Sequence, residues 1–157
     1  MNDDINYFSK SFRAVVFDED VKVYNEKTST SVDQAISFDS EKDEFTSIDL
    51  FVSSIVSEIL LTMMKVAKKR GEILQDIEAK ADLEISNPMY LLNVIGYEDP
   101  GLIEKLEVDV YFFSFLEGEK LDEFLDEVLK RTLIYNTFKD KVCLLYTSPS
   151  PRDATLS

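Results

Sequence analysis

The order of apolar patterns along the chain predicts an α+β protein with a mostly antiparallel sheet. Alternation with period two marks strands near the N-terminus and in two later segments, whereas helical spacing marks one long central segment and one C-terminal segment. The predicted order is β-β-(β)-α-β-β-α, with strands in adjacent runs rather than in regular alternation with helices. A length of 157 residues suits one domain with a sizeable core.

Two β-rich runs lie near the start of the chain, at residues 12–17 and 21–24. The acidic residues 18–20 separate them, so we expect a hairpin, although the Asn-Gly or Asp-Gly pair of the tightest turns is missing. Residues 34–38 predict a third, short strand, which follows the Thr- and Ser-rich stretch 28–31.

A long helix is predicted from residue 47 to residue 70. Thr46 and Asp49 have the spacing of a capping box ahead of an apolar run, and Gly71 is a typical residue just beyond a helix C-terminus. Twelve of the nineteen residues from 48 to 66 are Ile, Leu, Val, Phe or Met, and they surround most of the helix. Because one sheet covers only one face of such a helix, we expect a second subunit to cover much of the rest, in a tight homodimer.

The second half of the chain predicts two strands and a helix. Apolar and charged residues alternate over 77–85 and again over 106–112, which is typical of strands with one buried and one wet face. Between them, residues 90–95 form an apolar run that suits either a short helix or a strand, and residues 96–101 form a loop. Apolar residues at helical spacing then predict an amphipathic helix over 120–133.

The strongly negative net charge excludes some classes of binding partner. A net charge of −14 repels nucleic-acid phosphates and anionic membrane surfaces, so we expect neither as a partner. The one basic cluster, at residues 65–70, suits the C-terminus of a helix.

In the apolar stretch 48–66, a carboxylate at the middle costs on the order of 3 kcal/mol to place in a bilayer, which favours a core helix over a transmembrane helix. With one cysteine and no secretory signal, the expected location is cytoplasmic.

The last fifteen residues, 143–157, differ in composition from the rest and contain the sequence Ser-Pro-Ser-Pro. The eleven residues 143–153 resemble the conceptual translation of a transposon-type sequencing adapter. We therefore expect residues 1–142 to form a single domain whose last strand is cut short, followed by a non-native, disordered tail. Cys143 is then foreign, and the native part has no thiol. The alternative is a disordered natural C-terminus.

A polar line interrupts the central helix. Ser54, Glu58 and Thr62 recur every four residues, with Ser57 beside them. A carboxylate is costly to bury without a partner. Two interpretations stay open: a polar ligand pocket at a subunit interface, centred on Glu58, or a structural carboxylate that pairs with Arg or Lys or faces solvent.

Other catalytic and metal-binding patterns are missing from the sequence. There is no His, which removes Ser-His-Asp and Cys-His arrangements. The sequence contains neither a Gly-rich phosphate loop nor an EF-hand loop. We therefore expect neither a metal nor an organic cofactor.

The central helix also carries a family resemblance. Residues 46–71 resemble the central helix of OsmC/Ohr (osmotically inducible, organic hydroperoxide resistance) proteins. In that helix a Thr/Ser start precedes a Leu-rich stretch, a small-small-Cys step, a Thr and an Ala-x-x-(Lys/Arg)-Gly ending. Residues 76–81 are similar to the acidic strand that follows it, and residues 129–138 to a motif in which Cys-Pro-Val leads to Thr-Leu. The likeness spans roughly residues 12–142 and implies an OsmC-like intertwined homodimer, with the central helices buried between two sheets.

The same resemblance implies a chemistry that this sequence lacks. Active family members are thiol peroxidases: a helix cysteine attacks an organic hydroperoxide, a second cysteine resolves the sulfenic acid, and an Arg and a Glu activate the thiolate. Alignment on Gly71 puts Glu58 at the peroxidatic position. Alignment on residues 137–138 puts Thr132 at the resolving position, with Leu133 in place of the Pro. Neither a carboxylate nor a hydroxyl can pass through a sulfenic acid, so peroxidase activity is not expected.

Four functions therefore stay open. The first is an OsmC-like protein without redox cysteines that binds a small, partly apolar molecule in a dimer-interface pocket. Its expected ligand-binding residues are Ser54, Glu58 and Thr62, with Arg13 as a candidate counterpart of the activating Arg. The others are an acid/base enzyme that uses Glu58, a structural dimer without a ligand, and the oxidative-stress role towards organic hydroperoxides that is typical of the family.

Overall fold

The computed structural model describes residues 5–34 and 44–148 of the chain. The chain divides into two compact units, Met1–Leu50 and Phe51–Ser157. The predicted α+β class is confirmed, with more elements than expected. In chain order the elements are β1 (Arg13–Phe17), β2 (Asp20–Tyr24), β3 (Ser29–Val32), α1 (Ser47–Arg70), β4 (Leu74–Ile85), α2 (Pro88–Leu91), β5 (Ile103–Ser114), α3 (Gly118–Lys130), α4 (Leu133–Phe138), a 3-10 turn (Lys139–Lys141) and β6 (Val142–Thr147).

The first unit contains the predicted hairpin. β1 and β2 pair antiparallel, from Arg13 opposite Tyr24 to Phe17 opposite Asp20. Asp18 has a φ of 52° in the turn, a left-handed conformation that Asp adopts more readily than most residues. An acidic turn therefore closes the hairpin without the Asn-Gly or Asp-Gly pair.

The third strand lies earlier than the sequence predicted. It is the Thr- and Ser-rich stretch, Ser29–Val32, which pairs antiparallel with β2. The prediction of a strand at residues 34–38 is wrong at Gln34, which lies outside any strand, and residues 35–38 fall outside the described ranges. The physical reason is a side-chain turn. The Asn25 Oδ1 accepts the backbone N–H groups of Lys27 and Thr28, both at 2.8 Å. This turn reverses the chain, so that the next strand begins at Ser29.

Both ends of α1 agree with the prediction. Thr46 and Asp49 form a reciprocal capping box: the Thr46 N–H donates to Asp49 Oδ2 at 2.9 Å, and the Asp49 N–H donates to Thr46 Oγ1 at 3.2 Å. At the other end Gly71 has a φ of 71°, and the Glu72 N–H donates to the Ala67 carbonyl at 2.9 Å. This is a Schellman ending, in which glycine takes the left-handed position without strain.

Within one chain, α1 is buried on one face only. The expectation of a helix buried on nearly all sides is therefore not met by this chain alone. Leu61 and Met64 are 64% and 56% exposed on the other face. The buried stripe comprises Ile55, Ile59, Met63, Val66 and Ala67.

By length and mean hydropathy alone, α1 could also cross a membrane, and it is the one such helix in the described ranges. The core helix of a soluble domain passes the same test. Because α1 packs a continuous stripe against the sheet and α3 of the second unit, the core-helix interpretation is favoured.

The core of the second unit lies between its sheet and its helices. The sheet has the order β4-β5-β6, with β4 and β5 antiparallel and β5 and β6 parallel. One face of the central strand β5 is fully buried and meets the stripe of α1 and the inner residues of α3. The buried residues of β5 and α3 are Leu106, Val108, Val110, Phe112, Phe124 and Val128.

The predicted C-terminal helix over 120–133 is divided in two. α3 ends at Lys130, and α4 begins at Leu133. At the break, the Thr132 N–H and Oγ1 both donate to the Leu129 carbonyl, at 3.3 and 2.7 Å, and the Asn136 Nδ2 donates to the same carbonyl at 3.0 Å. Side chains thus satisfy the end of α3 and let the chain turn. Of the two alternatives at residues 90–95, the short helix is the one found nearby, as α2.

The expectation of a disordered tail after Val142 is wrong for residues 143–147. These residues form β6, which pairs in parallel with β5 from Leu106 to Tyr111. The run Val-Cys-Leu-Leu-Tyr is apolar and aromatic, a composition that favours strands, and Leu144 and Tyr146 pack against the core. Residues 149–157 lie outside the described ranges. The foreign origin of this segment stays a prediction.

β6 and the residue that follows it leave two buried polar groups without hydrogen bonds. Among the described residues, the buried side-chain polar atoms without a hydrogen-bond partner are the Tyr146 hydroxyl and the Ser148 Oγ, and both belong to the segment that resembles an adapter. An unsatisfied buried hydroxyl costs about 1–3 kcal/mol. A segment selected for this position would rarely carry two such groups side by side.

Tyr146→Phe is accordingly expected to stabilise the protein by about 1 kcal/mol, since it removes an unpaired buried hydroxyl and keeps the ring. Burial raises the pKa of the Tyr146 hydroxyl above its ordinary value of 10.0, and the nearby Tyr135 adds to the rise. The unfolded chain therefore releases this proton at a lower pH than the folded protein does. The free energy of unfolding consequently falls as the pH rises above the ordinary pKa of tyrosine. Urea unfolding at neutral and alkaline pH should show the gain, and a smaller alkaline loss, in the variant. The exposed Tyr90→Phe serves as the control, and equal effects at both positions would contradict this interpretation.

Candidate functional site

The polar line predicted on α1 borders one cavity. Ser54, Glu58 and Thr62 lie one turn apart, and together with Ser57 they line a groove of about 440 Å³. The remaining lining is mostly apolar and comprises Leu61, Lys65 and Ile134. The structure therefore brings the three helix residues of the predicted site together. Their role in ligand binding stays a prediction.

Glu58 is held by the backbone of another helix. Its Oε1 accepts the N–H of Ile134 at 2.7 Å and the N–H of Tyr135 at 3.3 Å. Both groups belong to the first turn of α4, where backbone N–H groups have no partner within the helix. A carboxylate there also interacts favourably with the positive end of the helix. Of the two interpretations, the structural one describes this contact, but the partner is backbone rather than Arg or Lys.

Thr132 lies at the same junction and is fully buried. It is the N-cap residue of α4, yet its side chain makes no cap hydrogen bond, because its Oγ1 donates back to the Leu129 carbonyl at 2.7 Å. Glu58 supplies the cap instead. The two positions that the family resemblance equates with the redox cysteines thus meet where α1 contacts the start of α4.

The other predicted site residues differ in their surroundings. The Ser54 Oγ donates to the Phe51 carbonyl at 2.6 Å within α1, so its hydrogen-bonding capacity is partly used. Thr62 makes no side-chain hydrogen bond within the described part of the chain and borders the groove. Arg13 lies in the first unit, on β1, where its guanidinium carbon is 5.7 Å from the centroid of the Tyr24 ring. Its assignment as the activating Arg stays a prediction.

A second cavity, of about 520 Å³, lies beside the first and is basic. It shares Thr62 and Lys65 with the groove and adds Val66, Lys69 and Arg131. In the sequence, Lys65 and Lys69 were assigned to the helix terminus alone, and nothing distinguished Arg131. A signal for the lysines was present, since residues 62, 65 and 69 share one face of a helix. Arg131 could not be placed there because it is distant in sequence.

Glu127 of α3 organises the cations of this second cavity. Lys69 and Arg70 lie 3.2 Å from its carboxylate oxygens, and Arg131 lies 3.8 Å away. The hydrogen bond from Lys69 is the main reason that the pKa of Glu127 lies below its ordinary value. Burial opposes this effect, and the hydrogen bond and charge of Arg70 add to the lowering. Glu127 therefore stays ionised at neutral pH and gathers the basic side chains of α1 and α3 into one cluster.

The fold and the groove define a small α+β protein with a cavity along its long helix and no thiol in the cavity lining. Cys143 lies on β6, outside the lining. Within the described ranges, no group of three or more His, Cys, Asp or Glu is placed to hold a metal ion.

Solved structures identify the fold more closely. An OsmC-like protein from Mycoplasma pneumoniae matches with a TM-score of 0.68 at 16% identity, over 91% of this chain and 97% of that chain. The organic hydroperoxide resistance protein OsmC from Legionella pneumophila matches with a TM-score of 0.58 at 12% identity, over 90% and 96%. OhrB of Bacillus subtilis matches with a TM-score of 0.55 at 12% identity, over 90% and 98%.

The chain therefore has the OsmC/Ohr fold, and the resemblance predicted from the sequence is confirmed at the level of the fold. No family model matches the chain, and no curated protein sequence matches it. At identities this low the likeness carries architecture, whereas activity depends on the residues of the site.

Proposed function

We propose that this protein is a cytoplasmic, OsmC-like homodimer that binds a small, partly apolar molecule in the groove along α1 and is not a peroxidase. The observation that supports this most directly is the shared lining of that groove. Polar residues of α1 face it together with Leu61 and with Ile134 of α4. Glu58 fixes the groove wall, because its hydrogen bond to the Ile134 N–H holds α4 against α1.

The residues at the two critical positions argue against thiol chemistry. Glu58 and Thr132 are both engaged in hydrogen bonds, and neither can form a sulfenic acid or a disulfide. The acid/base alternative gains little support, since one Glu58 oxygen already accepts two backbone N–H groups. A structural role for Glu58 is compatible with ligand binding, because a fixed wall preorganises the groove.

The homodimer is supported by what the single chain leaves uncovered. Leu61 and Met64 are more than half exposed on a helix whose opposite face forms part of the core. Exposed apolar side chains on one helix face are typical of a surface that contacts a partner. A second copy laid along this face would cover α1 in the way that the family resemblance implies.

Purified full-length protein is expected to bind amphiphiles without consuming hydroperoxide. Octanol, fatty acids and acyl thioesters should raise its melting temperature, because a ligand that binds only the folded state stabilises it. Ser57→Trp, which fills the groove, should abolish the rise, whereas Glu123→Trp, at an exposed position of α3 outside the groove lining, should preserve it. Light scattering should give twice the 18.0 kDa mass of the chain. Robust consumption of an organic hydroperoxide, or no thermal shift with any of the three probes, would contradict the proposal.

A further inference from the structure

We propose that the basic cavity beside the groove binds a phosphate monoester, with the apolar chain of the same molecule lying in the groove. The inference rests on the proposed function and specifies its ligand class. The charge of this cavity is opposite in sign to that of the whole protein. The protein carries a net charge of −14, yet the lining of this cavity includes Lys65, Lys69 and Arg131 and no carboxylate.

Helix termini alone do not account for this arrangement. Cations near the C-termini of α1 and α3 are expected from the helix dipoles. The dipoles do not explain why some of these side chains border the cavity and others do not. Lys68 lies in the same last turn of α1 and does not line the cavity, whereas Lys65 lies a turn earlier and does. Arg131 approaches the same space from the end of α3.

The cations are also positioned and only partly neutralised. Glu127 holds Lys69 at 3.2 Å and Arg131 at 3.8 Å, while Lys65 has no ion pair within the described part of the chain. Three lining cations against this single carboxylate leave an excess of two positive charges. A phosphate monoester near neutral pH carries close to two negative charges and offers several acceptor oxygens, which Lys and Arg bind well.

The connection to the groove indicates what the phosphate carries. Thr62 and Lys65 border both cavities, so the cavities are adjacent and a chain attached to a group at the cations has the groove beside it. There it meets the apolar side chains of Leu61 and Ile134. A ligand with two negative charges on its head group and a short alkyl chain therefore fits the basic cavity with its head group and the groove with its chain.

Calorimetric titration of the full-length protein with octyl phosphate, octanol and inorganic phosphate tests the inference. Octyl phosphate should bind more tightly than either of the others. Lys65→Ala should weaken octyl phosphate binding about fivefold, in keeping with a partly exposed charge interaction. Because Lys65 also borders the groove, octanol binding should weaken too, but by less, since an alcohol has no charge for Lys65 to bind. Lys68→Ala is the matched control and should change neither. Because Lys65 has no ion pair to lose, circular dichroism should show both variants folded.

The outcomes separate this inference from the function on which it rests. If octanol and octyl phosphate bind equally well, the groove stands and the phosphate site is wrong. Equal losses in the Lys65 and Lys68 variants would show a general charge effect and overturn the site. Inorganic phosphate binding as tightly as octyl phosphate would separate the cavity from the groove and overturn the single ligand. If none of the three probes binds, the proposed function fails as well.

Discussion

Replacing Glu58 by alanine is expected to lower the free energy of unfolding by about 3 kcal/mol, because it removes a carboxylate acceptor and leaves two backbone N–H groups of α4 unpaired in a partly buried place. The distances of 2.7 and 3.3 Å to Ile134 and Tyr135 show that both bonds depend on one oxygen. Urea unfolding at a fixed protein concentration measures the change, since a dimer gains stability with concentration.

Two substitutions distinguish the cap from a general effect of the position. Glu58→Gln keeps an acceptor oxygen and loses the charge, so it should cost about 1 kcal/mol. Glu58→Cys should cost nearly as much as alanine, because a thiol is a weak acceptor. Ser57→Ala, on the neighbouring exposed position, should stay within about 0.5 kcal/mol of the parent. If alanine at position 58 has no larger effect than alanine at position 57, the hydrogen bonds to α4 do not support the junction.

Glu58 also shows where sequence reasoning stops. Its place on a polar line of α1 followed from helical spacing, which is a local property. Its partners did not, because the N–H groups of Ile134 and Tyr135 are backbone atoms more than seventy residues away. Backbone donors carry no signature in the side-chain sequence. Helical spacing therefore allowed Arg, Lys or solvent as the partner of Glu58, but gave no indication of the N-terminus of α4.

Elements whose signals are local were predicted well. The capping box at Thr46 and the glycine ending at Gly71 depend on residues within one turn, and α1 has the predicted bounds. The break at Thr132 was hidden because apolar residues on both sides of it keep helical spacing. The strand Ser29–Val32 was passed over because its polar residues lack an apolar run, and the turn at Asn25 decided its position.

Ending the chain at Val142 should unfold the protein or reduce its stability by about 5 kcal/mol or more. The cut removes nearly all of β6, which pairs with the central strand β5 over six residues. It also removes Leu144 and Tyr146, and burial of each such side chain is worth about 1.5–3 kcal/mol. Lost strand hydrogen bonds add roughly 0.5–1.5 kcal/mol each. The total approaches the whole stability of a domain, about 5–15 kcal/mol.

A chain ending at Ser148 is the matched comparison, because it keeps β6 and omits only residues 149–157. It should unfold at the same urea concentration as the full chain, whereas the chain ending at Val142 should show weak or no cooperative unfolding by circular dichroism. Equal stability of the two shortened chains would mean that β6 contributes nothing to the sheet. The expected result has a further meaning when combined with Tyr146→Phe. The sheet would then require β6, and yet removal of the Tyr146 hydroxyl would make the protein more stable. Such a pair of results indicates that the residues of β6 were not selected for this position.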